Sequence, residues 1–99
     1  MYTAASIDYA NYFMAEVDRK NTIKHLLTRE HCKMIADYAV KDLRLIGRDL
    51  KTTIIVDNLL KNFEETTPDN GIHIEDFEGS FDDNHLFLLK DFLMQQIVA

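Results

Sequence analysis

The sequence predicts a small α/β fold in which helices alternate with at least one buried strand. An amphipathic helical pattern follows Ser6, a β-branched apolar run spans residues 52–56, and a second amphipathic pattern closes the chain. Helices that alternate with a continuously apolar strand are typical of α/β proteins with a parallel sheet. The 99 residues suffice for a single small domain.

The first predicted helix begins after Ser6, whose hydroxyl can cap its free N–H groups. Asp8 lies in the first turn, where a negative charge favours the helix. The apolar positions that share one face are Ile7, Ala10, Phe13, Met14 and Val17. Polar residues 18–22 end the pattern. Residues 23–28 and 33–36 have weak periodicity and are predicted as short extended segments.

Residues 41–46 are predicted as a short helix that ends at Gly47, because glycine readily adopts the left-handed conformation of a helix C-cap. The run 52–56 is then the central strand. A strand that is apolar throughout is usually buried on both faces. It ends at Asp57 and Asn58.

Pro68 and the Asn70-Gly71 pair predict a turn after that strand. Residues 72–77 are predicted as a second strand that points Ile72 and Ile74 inward. The final helix is capped by Asp82 or Asp83. Its apolar stripe contains Leu86, Leu89, Phe92, Leu93 and Ile97.

Composition excludes several classes of protein. The net charge is −6, and Lys and Arg are scattered, which argues against direct nucleic-acid binding. The apolar runs are far shorter than the ~18 residues of a membrane span, and no basic, apolar leader pattern begins the chain. Cys32 has no partner for an internal disulfide, which suits a reducing intracellular compartment.

Generic catalytic patterns are weak in this sequence. The four histidines lack zinc-ligand spacing, no glycine-rich phosphate loop is present, and Cys32 beside His31 is expected to be a partly buried, unreactive thiol. Ligands of α/β folds bind at the carboxyl ends of parallel strands. Asp57 and Asn58 occupy such a position, although an Asp after a strand is more often an ordinary turn residue.

An ordered series of motifs carries more information than any of them alone: Tyr2-Thr3-Ala4-Ala5-Ser6, Arg29-Glu30-His31-Cys32, Val40-Lys41-Asp42-Leu43, Gly47-Arg48-Asp49-Leu50, Ile54-Ile55-Val56-Asp57-Asn58 and Pro68-Asp69-Asn70-Gly71-Ile72. The series resembles the FCP1 homology domain, the protein serine/threonine phosphatases of the small C-terminal-domain-phosphatase type within the haloacid dehalogenase superfamily. The resemblance implies a Rossmann-like parallel sheet with flanking helices, of which residues 1–99 form the C-terminal part.

The resemblance also implies roles for four residues in phosphoryl transfer. Thr3 matches the hydroxyl that binds the phosphoryl group, and Lys41 matches the lysine that neutralises its charge. The start of a helix is an unfavourable position for a cation, so a lysine there favours a role in phosphate binding for Lys41. Asp57 matches the carboxylate that binds Mg²⁺, and Asn58 matches its neighbour that orients the cation's ligands.

The chain departs from the family pattern in two places. The family's nucleophile and its general acid/base form an Asp-x-Asp motif upstream of the Thr-containing motif, and none of the 99 residues provides that motif. The resemblance thus implies that the first core strands are lacking. Leu59-Leu60 also replaces the Ser-Pro that usually follows Asp-Asn.

Three functional hypotheses follow. The first is a catalytically incomplete, phosphatase-like component of a larger assembly, whose protein partner supplies the core strands or is a second copy. In the second, another chain supplies the Asp-x-Asp half and creates an active Mg²⁺-dependent phosphatase of phosphoproteins. The third is a binding subunit like that of the mitochondrial presequence translocase, since an acidic chain suits basic ligands.

Overall fold

Two α-helices and four three-residue strands form the regular structure of residues 1–98. The computed structural model describes the backbone of residues 1–98 and the side chains of residues 1–96. The elements are α1 (Ile7–Val17), β1 (Lys33–Ile35), β2 (Tyr38–Val40), β3 (Ile55–Asp57), β4 (Gly71–His73) and α2 (His85–Leu93). Short 3-10 turns join them at Arg29–His31, Leu43–Leu45, Leu50–Thr52, Leu60–Asn62 and Pro68–Asn70, and Met94–Val98 continues α2 as a π-helical turn.

Helix α1 has the predicted bounds and the predicted cap. The Ser6 hydroxyl accepts a hydrogen bond from the Tyr9 N–H at 3.5 Å. The helix stops where Asp18 turns its carboxylate to the N–H groups of Thr22 and Ile23, at 2.9 and 2.8 Å. Ala10 is the only described α1 residue that is buried, so most of the predicted apolar face is left uncovered.

The sheet structure consists of two separate strand pairs and one bridge. β3 and β4 are parallel, with Asp57 opposite His73, whereas β1 and β2 form an antiparallel hairpin. A parallel bridge joins Tyr2 to Leu27. The predicted α/β class is therefore confirmed, with short parallel and antiparallel sheets together.

The largest cluster of buried apolar side chains consists of Leu43, Ile55 and Phe63, with Ile46 packed against it. Gly71 of β4 lies directly against the Phe63 ring. A Cβ at this glycine would stand 1.9 Å from the nearest ring carbon, so a larger residue does not fit. This small core fixes β3 against β4 and thereby places the carboxyl end of β3.

Two predicted elements around the core are shorter than expected. The predicted helix 41–46 is wrong in extent: Asp42 caps a single 3-10 turn, Leu43–Leu45, and Lys41 instead continues directly from β2. Gly47 follows with a φ of 73°, as its predicted cap role requires. Residues 33–36 were predicted as an extended segment, and Lys33–Ile35 is β1, but the sequence did not predict its partner β2. A three-residue strand carries almost no periodic signal.

The predicted strand 52–56 is displaced toward its carboxyl end. Residues Leu50–Thr52 form a 3-10 turn instead, and the strand occupies Ile55–Asp57. The cause is Asp49: its carboxylate accepts from the Lys51 N–H at 2.9 Å, and its carbonyl accepts from the Thr53 hydroxyl at 2.8 Å. Local side-chain hydrogen bonds of this kind stabilise a turn here, although the β-branched residues of the segment favour a strand.

The later elements are also shorter than predicted. The second strand is Gly71–His73 rather than 72–77, although Ile72 and Ile74 are both half-buried as expected. Helix α2 begins at His85 with Asn84 as its N-cap, not at Asp82 or Asp83. Asp83 still accepts a hydrogen bond from the His85 N–H at 3.1 Å.

The apolar stripe predicted on the final helix is not buried. No residue of α2 is buried, and Leu86, Phe92 and their neighbours face solvent. Ile97, the last residue of the predicted stripe, has a side chain that lies outside the described residues. All of Ala99 lies outside them as well. Within residues 1–98, the structure contains no helix both long and apolar enough to span a membrane.

Candidate functional site

Lys41 and Asp57 form a buried ion pair at the carboxyl ends of two strands. Lys41 directly follows β2, and Asp57 is the last residue of β3, so the two strand ends bring them together. Lys41 Nζ lies 2.6 Å from Asp57 Oδ2. The two side chains are only 10% and 4% exposed. Two of the four predicted site residues are therefore in direct contact.

Asn62, which the sequence reasoning missed, completes the surroundings of Asp57. Its amide Nδ2 donates to Asp57 Oδ2 at 2.9 Å, and its main-chain carbonyl accepts from the Lys41 N–H at 2.8 Å. The Leu59 N–H donates to the other oxygen, Oδ1, at 3.0 Å. The only signal in the sequence is an Asn five residues after Asp57, in a segment without periodicity.

The hydrogen bonds control the protonation of Asp57. Burial alone raises the pKa of this carboxyl, because the charged form loses hydration. The donors Lys41, the Leu59 N–H and Asn62 oppose that effect, and the net pKa is below the usual value of 3.8. Asp57 is therefore an anion near neutral pH, with Lys41 as its cationic partner.

Asn58 faces a different part of the surface from the ion pair. Its amide Nδ2 donates to Asp76 Oδ1 at 2.8 Å, and its carbonyl lies 3.0 Å from His73 Nε2. Among the hydrogen bonds of the described residues, none joins the Asn58 side chain to Asp57 or Lys41. Asn58 therefore connects the end of β3 to the acidic residues that follow β4.

Thr3 is held next to the bridge that joins the N-terminal segment to Leu27. The Thr3 N–H donates to the Leu27 carbonyl at 2.9 Å, and the Thr3 hydroxyl accepts from the Ala5 N–H at 3.1 Å. Its own O–H proton remains available to donate. Over residues 1–98 no hydrogen bond connects Thr3 with the other three predicted site residues.

Cys32 lies beside the main chain of Thr3 and Thr28. Its Sγ is 3.9 Å from the Thr3 carbonyl oxygen. Burial raises the pKa of the thiol, while the positive charge of Lys41 acts in the opposite direction. A thiol with a raised pKa is a poor nucleophile, in agreement with the expected unreactive cysteine. Burial also raises the pKa of the neighbouring Tyr2 to about 12.

A cleft of about 700 Å³ opens beside Asn58. Most of its wall comes from the segment that we call the acidic loop, residues 75–83. The cleft residues are Asn58, Leu59, His73, Glu75, Asp76, Glu78, Ser80, Asp82, Asp83 and His85. No Lys or Arg occurs between Lys61 and Lys90, so this face is negatively charged. Such a surface attracts cationic ligands.

The donor atoms around Asp57 suit one part of a Mg²⁺ site. Mg²⁺ takes oxygen ligands and is commonly held by one or two carboxylates, its other positions being filled by water and substrate phosphate. Asp57 Oδ1 has a single protein donor and can accept a further partner. In the part of the chain that the structure describes, no three His, Cys, Asp or Glu residues form a metal-binding group. Asp57 therefore fits as a contributor to such a site.

Comparison with known proteins assigns the sequence of residues 1–98 to a family. Residues 1–98 match the family described as NLI interacting factor-like phosphatase. The CTD small phosphatase-like protein 3 of Caenorhabditis elegans is 42% identical over 94 residues, which are 94% of this chain and 32% of the relative. The human carboxy-terminal domain RNA polymerase II polypeptide A small phosphatase 1 is 30% identical over 95 residues, 96% of this chain and 36% of the relative.

A third relative has a different name. The mitochondrial import inner membrane translocase subunit TIM50 of Debaryomyces hansenii is 34% identical over 67 residues, 68% of this chain and 14% of the relative. The chain thus spans about a third or less of the length of these curated relatives.

Proposed function

Because the chain belongs to the NLI interacting factor-like phosphatase family, we propose that residues 1–98 form the phosphate- and Mg²⁺-binding half of a protein serine/threonine phosphatase site. The observation that carries the proposal is the buried contact between Lys41 and Asp57 at 2.6 Å. Removing two charges from water is costly, so a pair in this position needs a reason beyond stability. Phosphoryl transfer provides one, since its catalysis depends on positioning and on neutralising charge.

Each of the four residues has a role in this proposal. Lys41 binds the phosphoryl oxygens through Nζ, and the Thr3 hydroxyl donates a hydrogen bond to the same group. Asp57 offers Oδ1 to Mg²⁺, and Asn58 would orient the ligands of Mg²⁺ once its amide leaves Asp76, to which it donates in this structure. When bound, Mg²⁺ would neutralise the charge that develops on the phosphoryl group.

The covalent step needs two additional residues, a nucleophile and a general acid. A carboxylate nucleophile attacks phosphorus, the seryl or threonyl oxygen leaves with a proton from a general acid, and water later cleaves the aspartyl phosphate. None of the 99 residues provides an Asp-x-Asp pair for these two tasks. We therefore propose that the 99 residues bind but do not hydrolyse, and that an Asp-x-Asp strand from elsewhere in the whole protein or from another chain restores hydrolysis.

The strand geometry supports a protein partner at this place. Within the described residues β3 pairs only with β4, so its other edge can accept a strand. Ile54, just before β3, is 45% exposed. We propose that the strand with the Asp-x-Asp motif pairs here, in a partial haloacid-dehalogenase-like parallel sheet, and completes the site next to Asp57.

Phosphate release from a phosphoserine peptide in the presence of Mg²⁺ tests the proposal. We expect no release by the 99-residue chain alone and measurable release after addition of an Asp-x-Asp segment. Asp57→Asn should abolish that release, whereas Asp69→Asn, at an exposed position, is the matched control. Activity that survives Asp57→Asn would show that the assigned role of Asp57 is wrong.

A second candidate function is favoured by the acidic loop. This function is binding of a basic, amphipathic protein segment, as a component of an assembly rather than as an enzyme. Five carboxylates accompany two exposed phenylalanines there: Glu75, Asp76, Glu78, Asp82 and Asp83, with Phe77 and Phe81. Exposed aromatic side chains with surrounding charges of one sign are features of protein interaction surfaces.

Binding of a labelled basic amphipathic peptide distinguishes this candidate. Affinity should fall with added salt, and Glu75→Gln combined with Glu78→Gln should weaken it several-fold. Glu64→Gln combined with Glu65→Gln removes the same charge outside the loop and is the control. Equal effects of the two double variants would exclude a specific role of the acidic loop.

We further propose a reducing intracellular compartment, because Cys32 is the single cysteine. The names of two relatives include RNA polymerase II and a mitochondrial translocase, and both settings agree with an intracellular location. Cell fractionation with a tagged chain separates nucleus and cytoplasm from mitochondria. Recovery in a secreted fraction would contradict the proposal.

A further inference from the structure

Leu59 and Leu60, which stand where the family usually has Ser-Pro, line an apolar cleft beside the proposed phosphate site. We propose that this cleft binds a large apolar side chain next to the phosphorylated residue of a protein substrate. The inference rests on the proposed function and adds a specificity determinant to it. The cleft measures about 460 Å³, within the roughly 300–1,000 Å³ of typical ligand sites.

The wall of the cleft is mostly apolar. Leu59 and Leu60 are 55% and 45% exposed. Tyr38 and Ala39 of β2 also line the cleft. Lys61 Nζ lies 5.3 Å from the centre of the Tyr38 ring, and this cation–π contact helps to hold the ring in the wall. An apolar side chain that enters the cleft removes its own surface and that of the two leucines from water, which favours binding.

The cleft is continuous with the proposed phosphate site. Ala4, which directly follows Thr3, lies in its wall, and so does Asn62. The Asn62 amide donates to the Asp57 carboxylate at 2.9 Å. A phosphoryl group bound by Lys41 and Thr3 therefore brings the neighbouring residues of the same peptide to the cleft.

The charges around the cleft favour an uncharged occupant. Asp37 and Lys61 both line it and carry opposite charges, whereas the larger cleft beside Asn58 is acidic. A charged side chain in the smaller cleft would lose hydration while one of these two groups repelled it. An aliphatic or aromatic side chain has no such cost. The cleft thus suits Leu, Ile, Met or Phe of the substrate better than Lys or Glu.

Binding of fluorescein-labelled phosphoserine peptides to the 99-residue chain, followed by fluorescence anisotropy, tests the inference. Two pairs of peptides differ only in Leu against Ala, one pair directly before the phosphoserine and the other directly after it. We expect about tenfold tighter binding of the Leu peptide in one pair, because apolar pockets distinguish side chains of different size by about 10–200-fold. Leu59→Ser combined with Leu60→Ser should remove this difference and leave binding of the Ala peptide unchanged.

Leu50→Ser combined with Leu88→Ser is the matched control, because both leucines are exposed and lie outside the cleft. This variant should keep the preference for Leu. A preference that persists in the Leu59 and Leu60 variant would overturn the inference. Its loss on addition of the Asp-x-Asp segment would do the same, since the segment rather than the peptide would then cover the cleft.

Two further outcomes separate this inference from the proposed function. Equal binding of the Leu and Ala peptides in both pairs would overturn the inference alone, provided that phosphorylation still strengthens binding. If the phosphorylated peptides bind no better than their unphosphorylated forms, the proposed function fails and the inference fails with it.

Discussion

Among the ion pairs of the described residues, Lys41 and Asp57 form the pair in which both side chains are buried. Lys41→Met keeps most of the aliphatic side chain but leaves the Asp57 carboxylate buried without its cation. Loss of one partner from a buried ion pair typically costs about 3–5 kcal/mol, and we expect a loss of that order. Urea denaturation gives the free energy of unfolding.

A double variant separates the contribution of the ion pair to stability from the contribution of the packed aliphatic part of Lys41. In the double variant Lys41→Met with Asp57→Leu, neither charge remains, so most of the lost stability should return. A double variant less stable than Lys41→Met alone would contradict this explanation.

The low pKa of Asp57 predicts acid sensitivity. The pKa of Asp57 is below 3.8 in the folded chain, and the hydrogen bond from Arg44 likewise lowers the pKa of Asp42. At acid pH the unfolded chain therefore binds more protons than the folded one. The stability that these groups contribute is complete above the usual carboxyl pKa and is lost as pH falls through the lower folded values.

Denaturation curves between pH 6 and pH 3 measure the effect. Asp57→Asn should reduce the loss of stability on acidification, whereas Asp8→Asn removes one charge at an exposed position on α1 and is the control. A free energy of unfolding that is constant over this pH range would contradict the prediction.

Gly71 is required because of one close approach. A Cβ added there would lie 1.9 Å from the ring of Phe63, which is 3% exposed and cannot move away. We expect Gly71→Ala to lower the free energy of unfolding by about 1–3 kcal/mol, the usual cost of overpacking a core. Thermal denaturation measures it. Gly71→Ala combined with Phe63→Leu should cost less than the sum of the single changes.

At the scale of elements, the β1–β2 hairpin contains a strained residue. Ala36, in the two-residue turn between the strands, has a φ of 55°. For a residue with a Cβ this left-handed conformation costs about 1–2 kcal/mol, whereas glycine adopts it freely. Ala36→Gly should therefore stabilise the chain by up to about 1 kcal/mol in urea denaturation. Ala39→Gly, within β2, should destabilise it, and stabilisation by both variants would contradict the argument.

The elements also show where sequence patterns suffice. Helix α1 was predicted with its cap and end because 11 residues carry a full helical period and Ser6 caps locally. The three-residue strands were predicted poorly, since a segment of that length has one alternation at most. Thr52 and Thr53 have high β-propensity, yet hydrogen bonds to Asp49 determine the conformation of this segment.

The whole molecule exposes more surface than a self-contained domain of its size. Its accessible surface is 7824 Å². A compact protein of 11.5 kDa exposes about 5,800 Å². The difference of roughly 2,000 Å² exceeds the ~800 Å² that each partner buries in a standard interface. The apolar residues of α1 and α2 supply much of this surface.

This excess predicts association of the isolated chain. Because unburied apolar surface drives contact between copies, we expect oligomers or aggregates in light scattering at micromolar concentration. Addition of the Asp-x-Asp segment should reduce the scattering mass if it covers the β3 edge. A stable monomer without any partner would contradict both the prediction and the proposed docking of a strand.

The amino-acid pattern alone predicts the α/β class, the first helix and the order of motifs that marks the phosphatase family. All three features depend on local periodicity and on the identity of residues along the chain, and both can be read without knowledge of the folded structure. Only the tertiary structure decided that Lys41 and Asp57 touch, that Asn62 joins them, and that Asn58 faces the acidic loop. Those relations arise where two short strands end side by side, and a contact between residues 16 positions apart has no signature in the pattern of either segment.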